Sequence, residues 1–247
     1  MKNHGTNGYF WASDYRDNIG AYSMDFDSSS VITQNSRARY VGVPVRGIKK
    51  APVPEGFVDL DLPSGTCWAE KNLGANSEED YGYYFSWGNI VGHKSSNGST
   101  FDDDYDFGTI SSGQYGYTPG ASVSANIASN DVDHDAAQAI LGGRAHMPTN
   151  TQFQELYDNT DREWTSINGV NGYKFMKKSD HSVYVFFPAA GRGYGTSLRD
   201  SGSMGCYWSS TWHNSNYSYH MEFNSSSVYP QNNGSNRCFG FSVRAVV

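Results

Sequence analysis

The sequence predicts an α+β domain of two short helices, mixed short strands and long loops. Three observations carry that expectation. Two segments pair a capping residue with helically spaced apolar side chains. Several others alternate apolar and polar residues, as half-buried strands do. Between them lie stretches rich in Ser, Asn and the chain's 27 Gly. Helices and strands segregated along one chain are the pattern of an α+β architecture.

Taken in order, "FVDLDL" (57–62) alternates like a strand. "SEEDYGYYFSW" (77–87) predicts the first helix, with Ser77 as cap, acids in the first turn, and Tyr81, Tyr84 and Phe85 on one face. "PTNTQFQELYD" (148–158) predicts the second, because Thr149 and Gln152 have capping-box spacing and Phe153, Leu156 and Tyr157 form a stripe. "GYKFMKK" (172–178) and "SVYVFFPAAG" (182–191) read as paired strands. "YWSSTW" (207–212), "SYHMEFNSSSVYP" (218–230) and "GFSVRAVV" (240–247) complete the set.

At 247 residues the chain has room for one large domain or two small ones. Aromatics reach 15%, which disordered chains lack. A net charge of −7, with no basic patch to neutralise phosphates, argues against nucleic acid as a partner. No apolar run approaches the roughly 20 residues of a membrane span. "MKNHGTNGYFW" has no apolar signal-peptide core, so an exported form would carry its signal outside this sequence. Cys67, Cys206 and Cys238 form no metal-binding pattern, and all three are expected as free thiols, the first two in or near the core.

The chain repeats itself. Gly8–Arg46 aligns with Gly205–Arg244 once Asn233 is allowed as an extra residue, and sixteen of 39 positions are then identical. Residues 1–48 therefore read as a partial repeat of the C-terminal strand region. The two prolines of "KKAPVPEG" mark 49–55 as a linker. A complete unit spans 56–247, within which 92–130 reads as a surface insertion.

The blocks "VDLDLPSGTCWAEKNLGANSEEDYGYYFSWG" (58–88), "DAAQAILGGRAHMPTNTQFQEL" (135–156), "NGVNGYKFM" (168–176), "FFPAAGRG" (186–193), "YWSST" (207–211) and "GFSVRAV" (240–246) together resemble the Fibrobacter succinogenes major paralogous domain family. They cover nearly all of 57–247 in family order. One departure is "GGRAHMP", where Ala145 and His146 replace a Trp–Arg pair. The resemblance implies a C-type-lectin-like fold related to formylglycine-generating enzymes. Residues 205–247 further resemble the variable regions of proteins diversified by retroelements, which randomise adenines. Asn, Ser, Tyr, His, Gly and Cys all follow from an Asn codon by adenine changes, and "TWHNSNYSYHMEFNSSSVYPQNNGSNRCFGF" is crowded with them, although Trp212 and Glu222 are not so simply reached.

Strand side chains alternate between faces. Tyr219, Met221 and Phe223 repeat Tyr22, Met24 and Phe26, whereas His220, Glu222 and Asn224 replace Ser23, Asp25 and Asp27. The repeated set is expected in the core and the changing set at solvent or a ligand. "WHNSNY" (212–217) matches "YRDNIG" (15–20) at no position. Aromatic and amide side chains of this kind suit a recognition surface. The expected ligand-binding residues are Trp212, His213, Asn214, Asn216, Tyr217, His220, Tyr229, Asn232, Asn236 and Phe239.

Catalytic and metal sites fare worse. "FDDDYDF" offers Asp102, Asp103, Asp104 and Asp106, but without calcium-loop spacing, and reads as a solvated acidic loop. Formylglycine-generating relatives work through a cysteine pair; here Cys206 and Cys238 stand opposite Tyr9 and Tyr40 of the first copy, which argues against that role. "GRGYGTS" (191–197) leads into no helix, so a phosphate loop is not expected. Arg46 and Arg244 recur as expected members of a buried ion pair. The sequence thus points to a non-catalytic protein with no cofactor and no metal. Its expected role is to bind a protein or glycan at a cell surface, outside the cell or on a phage particle. A structural surface or pilus subunit is the alternative. The apolar face of residues 1–48 (Trp11, Tyr22, Met24 and Phe26) needs a cover, which packing on the full domain, added strands or a homo-oligomer through 1–48 would supply.

Overall fold

A computed structural model describes residues 6–46, 52–108 and 123–247. Two compact units divide the chain, Met1–Pro52 and Val53–Val247. Part of the linker read at 49–55 and part of the insertion read at 92–130 lie outside the described residues.

The first unit is an antiparallel meander of β1 (Asn7–Tyr15), β2 (Gly20–Asp27) and β3 (Val31–Ala38). The second contains a five-stranded sheet ordered β14-β13-β12-β15-β6. Its strands are β6 (Tyr84–Phe85), β12 (Met204–Trp212), β13 (Tyr217–Asn224), β14 (Ser227–Asn236) and β15 (Phe241–Ser242). A three-stranded meander, β7 (Thr160–Ile167), β8 (Val170–Lys177) and β9 (Asp180–Pro188), packs beside it. Two small hairpins, β4 (Phe57–Asp59) with β5 (Cys67–Ala69) and β10 (Arg192–Tyr194) with β11 (Ser197–Arg199), complete the strands.

Strands make up 44% of the structure and helices 7%. This is a β-rich protein of several sheets, and the expected α+β, C-type-lectin-like class is corrected accordingly. The helix expected at 77–87 does not form. Asp80 accepts from the backbone N–H groups of Asn76 and Gly82, closing turns, and Gly82 adopts φ +71°, which a helix does not contain. Tyr84 and Phe85 instead pair with Ser242 and Phe241. Among the described residues the helices that form are α1 (Ala136–Leu141) and α2 (Asn150–Asn159). Asp135 caps α1 by accepting from Ala137 and Gln138, and it also holds the N–H of Met147. Thr149 and Gln152 form the reciprocal capping box of α2, which buries Phe153 and Leu156.

Both faces of the central sheet are buried. On one, Cys206, Trp208 and Phe241 join Phe85, Trp87 and Val243. On the other, Tyr207, Met221 and Phe223 meet Phe153 and Leu156 of α2 and Phe175 and Phe187 of the meander. A third cluster gathers Tyr84, Phe101, Phe107, Ala190 and Leu198. Phe101 and Phe107 belong to the stretch expected as a surface insertion, so its described first part packs inward. Arg244 is fully buried, but its partners are neutral. It donates to Asn72 Oδ1 and to the carbonyls of Ala69 and Phe186, and this replaces the expected ion pair. Its counterpart Arg46 is exposed.

The internal repeat extends to hydrogen-bond register. Gly8 faces Phe26 and Phe10 faces Met24 in the first unit; Gly205 faces Phe223 and Tyr207 faces Met221 in the second. A bulge falls between Trp11 and Tyr15, and again between Trp208 and Trp212. The Phe10–Phe26 rings stack at 6.0 Å and 18°, and the Tyr207–Phe223 rings at 5.8 Å and 18°. Gly8 and Gly205 each lie under the ring of the opposing phenylalanine, where a Cβ has no room. The one extra residue, Asn233, is absorbed by an additional register shift between Ser218 and His220.

Candidate functional site

The turn joining β12 to β13 is built twice with the same bonds. Asn214 Oδ1 accepts from the N–H groups of Asn216 and Tyr217, as Asp17 Oδ1 does from Ile19 and Gly20. The Arg237 backbone donates to the carbonyl of Asn216, and its guanidinium to that of Ser215. Arg39 treats Ile19 and Asn18 in the same way. Arg237 also stacks its guanidinium 4.4 Å from the Trp87 ring, and burial lowers its pKa to about 10. Between positions 212 and 217, then, one backbone carries two wholly different sets of side chains.

The ten expected ligand-binding residues separate in space. Trp212, His213, Asn216 and Tyr217 are partly accessible on or beside this turn. Trp212 donates its backbone N–H to Asn126 Oδ1, and its Nε1 has no hydrogen-bond partner among the described residues. His213 sits edge-on to Tyr219 at 5.1 Å. Asn214 spends its oxygen on the turn itself, which makes it a capping residue.

Tyr229, 51% exposed, and Asn232 lie along β14. With Glu222, Pro230 and Gln231, and with Gln154 from α2, they line an open groove of about 650 Å³. Gln154 and Gln231 were not anticipated as lining residues. Gln231 is identical to Gln34 of the first copy just as the expected Asn232 is to Asn35, so comparison of the copies does not separate the two; an exposed helix position such as Gln154 gives no signal in sequence.

His220, Asn236 and Phe239 are buried, contrary to their expected place on a solvent or ligand face. The physical reason is that the second face of the sheet is also covered. His220 packs between Trp208 and Phe241, at 5.8 and 5.1 Å, and Phe239 sits against Tyr194 at 5.2 Å. Asn236 is held in the ladder opposite Tyr217. His220 Nε2 lies 3.5 Å from Glu222 and 3.3 Å from Ser235 Oγ, while its Nδ1 has no partner among the described residues. A Ser-His-acid relay needs hydroxyl and acid on opposite ring nitrogens, and here both share one. The hydrogen bond from His220, more than any other influence, keeps the Glu222 carboxyl below its ordinary pKa.

In the first unit the equivalent face closes on itself. Asp25 receives Ser23, Asn35 and Arg37, and the Arg37 guanidinium stacks over Tyr9 at 4.0 Å.

All three cysteines are buried, and none forms a disulfide. Burial holds Cys206 well above the ordinary thiol range and lifts Cys238 to about 11, so both remain neutral thiols near pH 7. The acidic loop is occupied internally. Asp102 accepts from Ser96, Asp103 lies 2.6 Å from His93 Nδ1, and Asp106 accepts from Gly108. Among the described residues, no group of three or more His, Cys, Asp or Glu is placed to hold a metal ion. No described helix is long and apolar enough to cross a membrane.

A protein-family profile described as Domain of unknown function (DUF8237) matches residues 155–246, from the middle of α2 to beyond β15. No curated protein and no solved structure matches the chain.

Proposed function

We propose that the second unit is a non-catalytic binding module. It presents the 212–217 turn and the groove beside β14 to a protein or glycan outside the cell. One observation carries this reading: the turn has the same hydrogen-bonded backbone as its counterpart in 15–20, clamped by Arg237 as by Arg39, yet all six side chains from 212 to 217 differ. A pre-ordered backbone lowers the entropic cost of binding, and aromatic and amide side chains supply contact area with adaptable hydrogen bonds. Adenine-directed diversification of this segment fits the same picture, since it would exchange side chains on a fixed frame.

Two experiments test the reading. Glycan and protein arrays are probed with the intact chain and with Tyr217→Ala/Tyr229→Ala, whose thermal unfolding should match the parent. Binding by the parent that the double variant loses supports the module. Binding that both retain, or none by the parent, counts against it. For diversification, the source genome is sequenced for a near-identical template whose adenines coincide with positions 212–217; a template differing at other bases would sink that part.

A further inference from the structure

The repeat exposes in one unit what it buries in the other. In the second unit, Met221 and Phe223 have no exposed surface. In the first, Met24 and Phe26 are 36% and 37% exposed, and with Phe10 and Arg46 they line a largely apolar groove of about 380 Å³. The register, the ring stack and the glycine beneath the phenylalanine ring are the same on both faces. What covers the second face is therefore a guide to what fits the first. There it is Phe153 and Leu156 of α2, together with the aromatic side of the β7–β9 meander. Arg244 adds a polar requirement, because it donates to Asn72, Ala69 and Phe186 with its guanidinium 4.6 Å from the Phe187 ring.

We propose that the first unit is a complementing sheet. Its partner is an incomplete domain of this same architecture, a polypeptide equivalent to residues 57–203 that lacks its own β12–β14. The partner brings a helix with a Phe–x–x–Leu ridge, an aromatic meander, and oxygen acceptors for Arg46 beside an aromatic ring. It differs from 57–203 where Tyr207 makes its contacts. Tyr207 donates its hydroxyl to the Pro188 carbonyl, whereas Phe10 in the same place has none, so the partner presents an apolar surface there. A second copy of the sheet offers the apolar part of this chemistry, but adds another arginine instead of acceptors. The 212–217 turn has no part in this contact, so the sheet's role stands or falls apart from the turn's ligand.

The test extends the full chain by repeating residues 57–203 ahead of it, with Ser203 joined to Asn7 just as Ser203 precedes Met204 in the second unit. Peroxide oxidation of methionines, read by mass spectrometry, reports the face. In the parent chain Met24 should oxidise and Met221 should not, since only Met24 is accessible. In the extended chain Met24 should lose its reactivity and behave like Met221, and the added segment should resist protease. Arg46→Ala in the extended chain should return reactivity to Met24; if protection survives it, the arginine has no role. Undiminished oxidation of Met24, or rapid digestion of the added segment, would overturn the proposal. So would a parent chain that sediments as a dimer, protects Met24, and becomes monomeric on Met24→Glu, because the occupant would then be a second copy.

Discussion

Placing a methyl group on Gly205 tests whether the two copies differ only in what covers them. A Cβ at Gly205 would meet the Phe223 ring well inside 3.0 Å, and a Cβ at Gly8 would meet the Phe26 ring in the same way. The clash is identical; the escape is not. Phe223 is fully buried and touches Tyr173, Tyr207 and Trp164 at ring separations of 5.4, 5.8 and 6.3 Å. Its ring would have to withdraw by about 1 Å into packed neighbours, and such overpacking costs about 1–3 kcal/mol. Adding partial loss of the burial of an aromatic side chain, worth about 3–5 kcal/mol in full, gives about 2–4 kcal/mol for Gly205→Ala. Phe26, with 37% of its surface exposed, can turn outward. Gly8→Ala also gains about 0.5–1 kcal/mol from reduced chain entropy, so its net effect should stay within about 1 kcal/mol. Urea unfolding followed by hydrogen exchange with peptide resolution separates the two units. Gly205→Ala/Phe223→Leu should recover part of the loss. Equal destabilisation by the two glycine variants, or a harmless Gly205→Ala, would refute the reasoning.

Three other outcomes are expected. Arg244→Met leaves three buried oxygens without their donor and should cost about 3–5 kcal/mol in urea unfolding, while Arg46→Met in the same chain should change stability by less than about 0.5 kcal/mol. Burial opposes the charge of Asp25, but hydrogen bonds from Arg37, Ser23 and Asn35 outweigh it and hold the pKa below the usual 3.8. Stability from this carboxylate is therefore present above about pH 4 and lost as pH falls through the depressed value, so acid should loosen the first unit, and Asp25→Asn should blunt that response when exchange is followed from pH 6 to 2. Finally, a thiol reagent at neutral pH should modify none of Cys67, Cys206 and Cys238 until urea unfolds the second unit; early labelling of Cys238 would show that the end of β14 opens locally.

Much of the fold is legible in the sequence where the signal is local or repeated. Thr149 and Gln152 declare the start of α2 because a capping box is a contact between near neighbours. The repeat discloses that 7–38 and 204–236 share one pairing scheme, since Gly8 and Gly205 and their covering phenylalanines recur together. Alternation misleads at His220. It presumes one wet face, and at His220 both faces of the sheet are covered, so a change of residue there records repacking against Trp208 and Phe241 and not contact with a ligand. In the first unit the same rule inverts, with Ser23 and Asp25 buried while Met24 and Phe26 are exposed. Ser77 and its acids mimic a helix start, but Gly82 and the distant pairing of Tyr84 with Ser242 decide otherwise. The burial of Arg244 is legible in the sequence, but its partners are not, because two of its acceptors are backbone carbonyls, which any residue could supply.

The extra residue in β14 bears on how such a protein could evolve. Six residue steps separate Val31 from Arg37 in the first copy and seven separate Val228 from Ser235 in the second, yet both ends keep their partners. Asn233 thus changes length between two fixed anchor points, and Arg237 still reaches its carbonyl. Insertions or deletions here would widen or narrow the groove while leaving the rest of the sheet in frame. Relatives of this chain should then differ in the number of residues between these anchors as readily as in their identity.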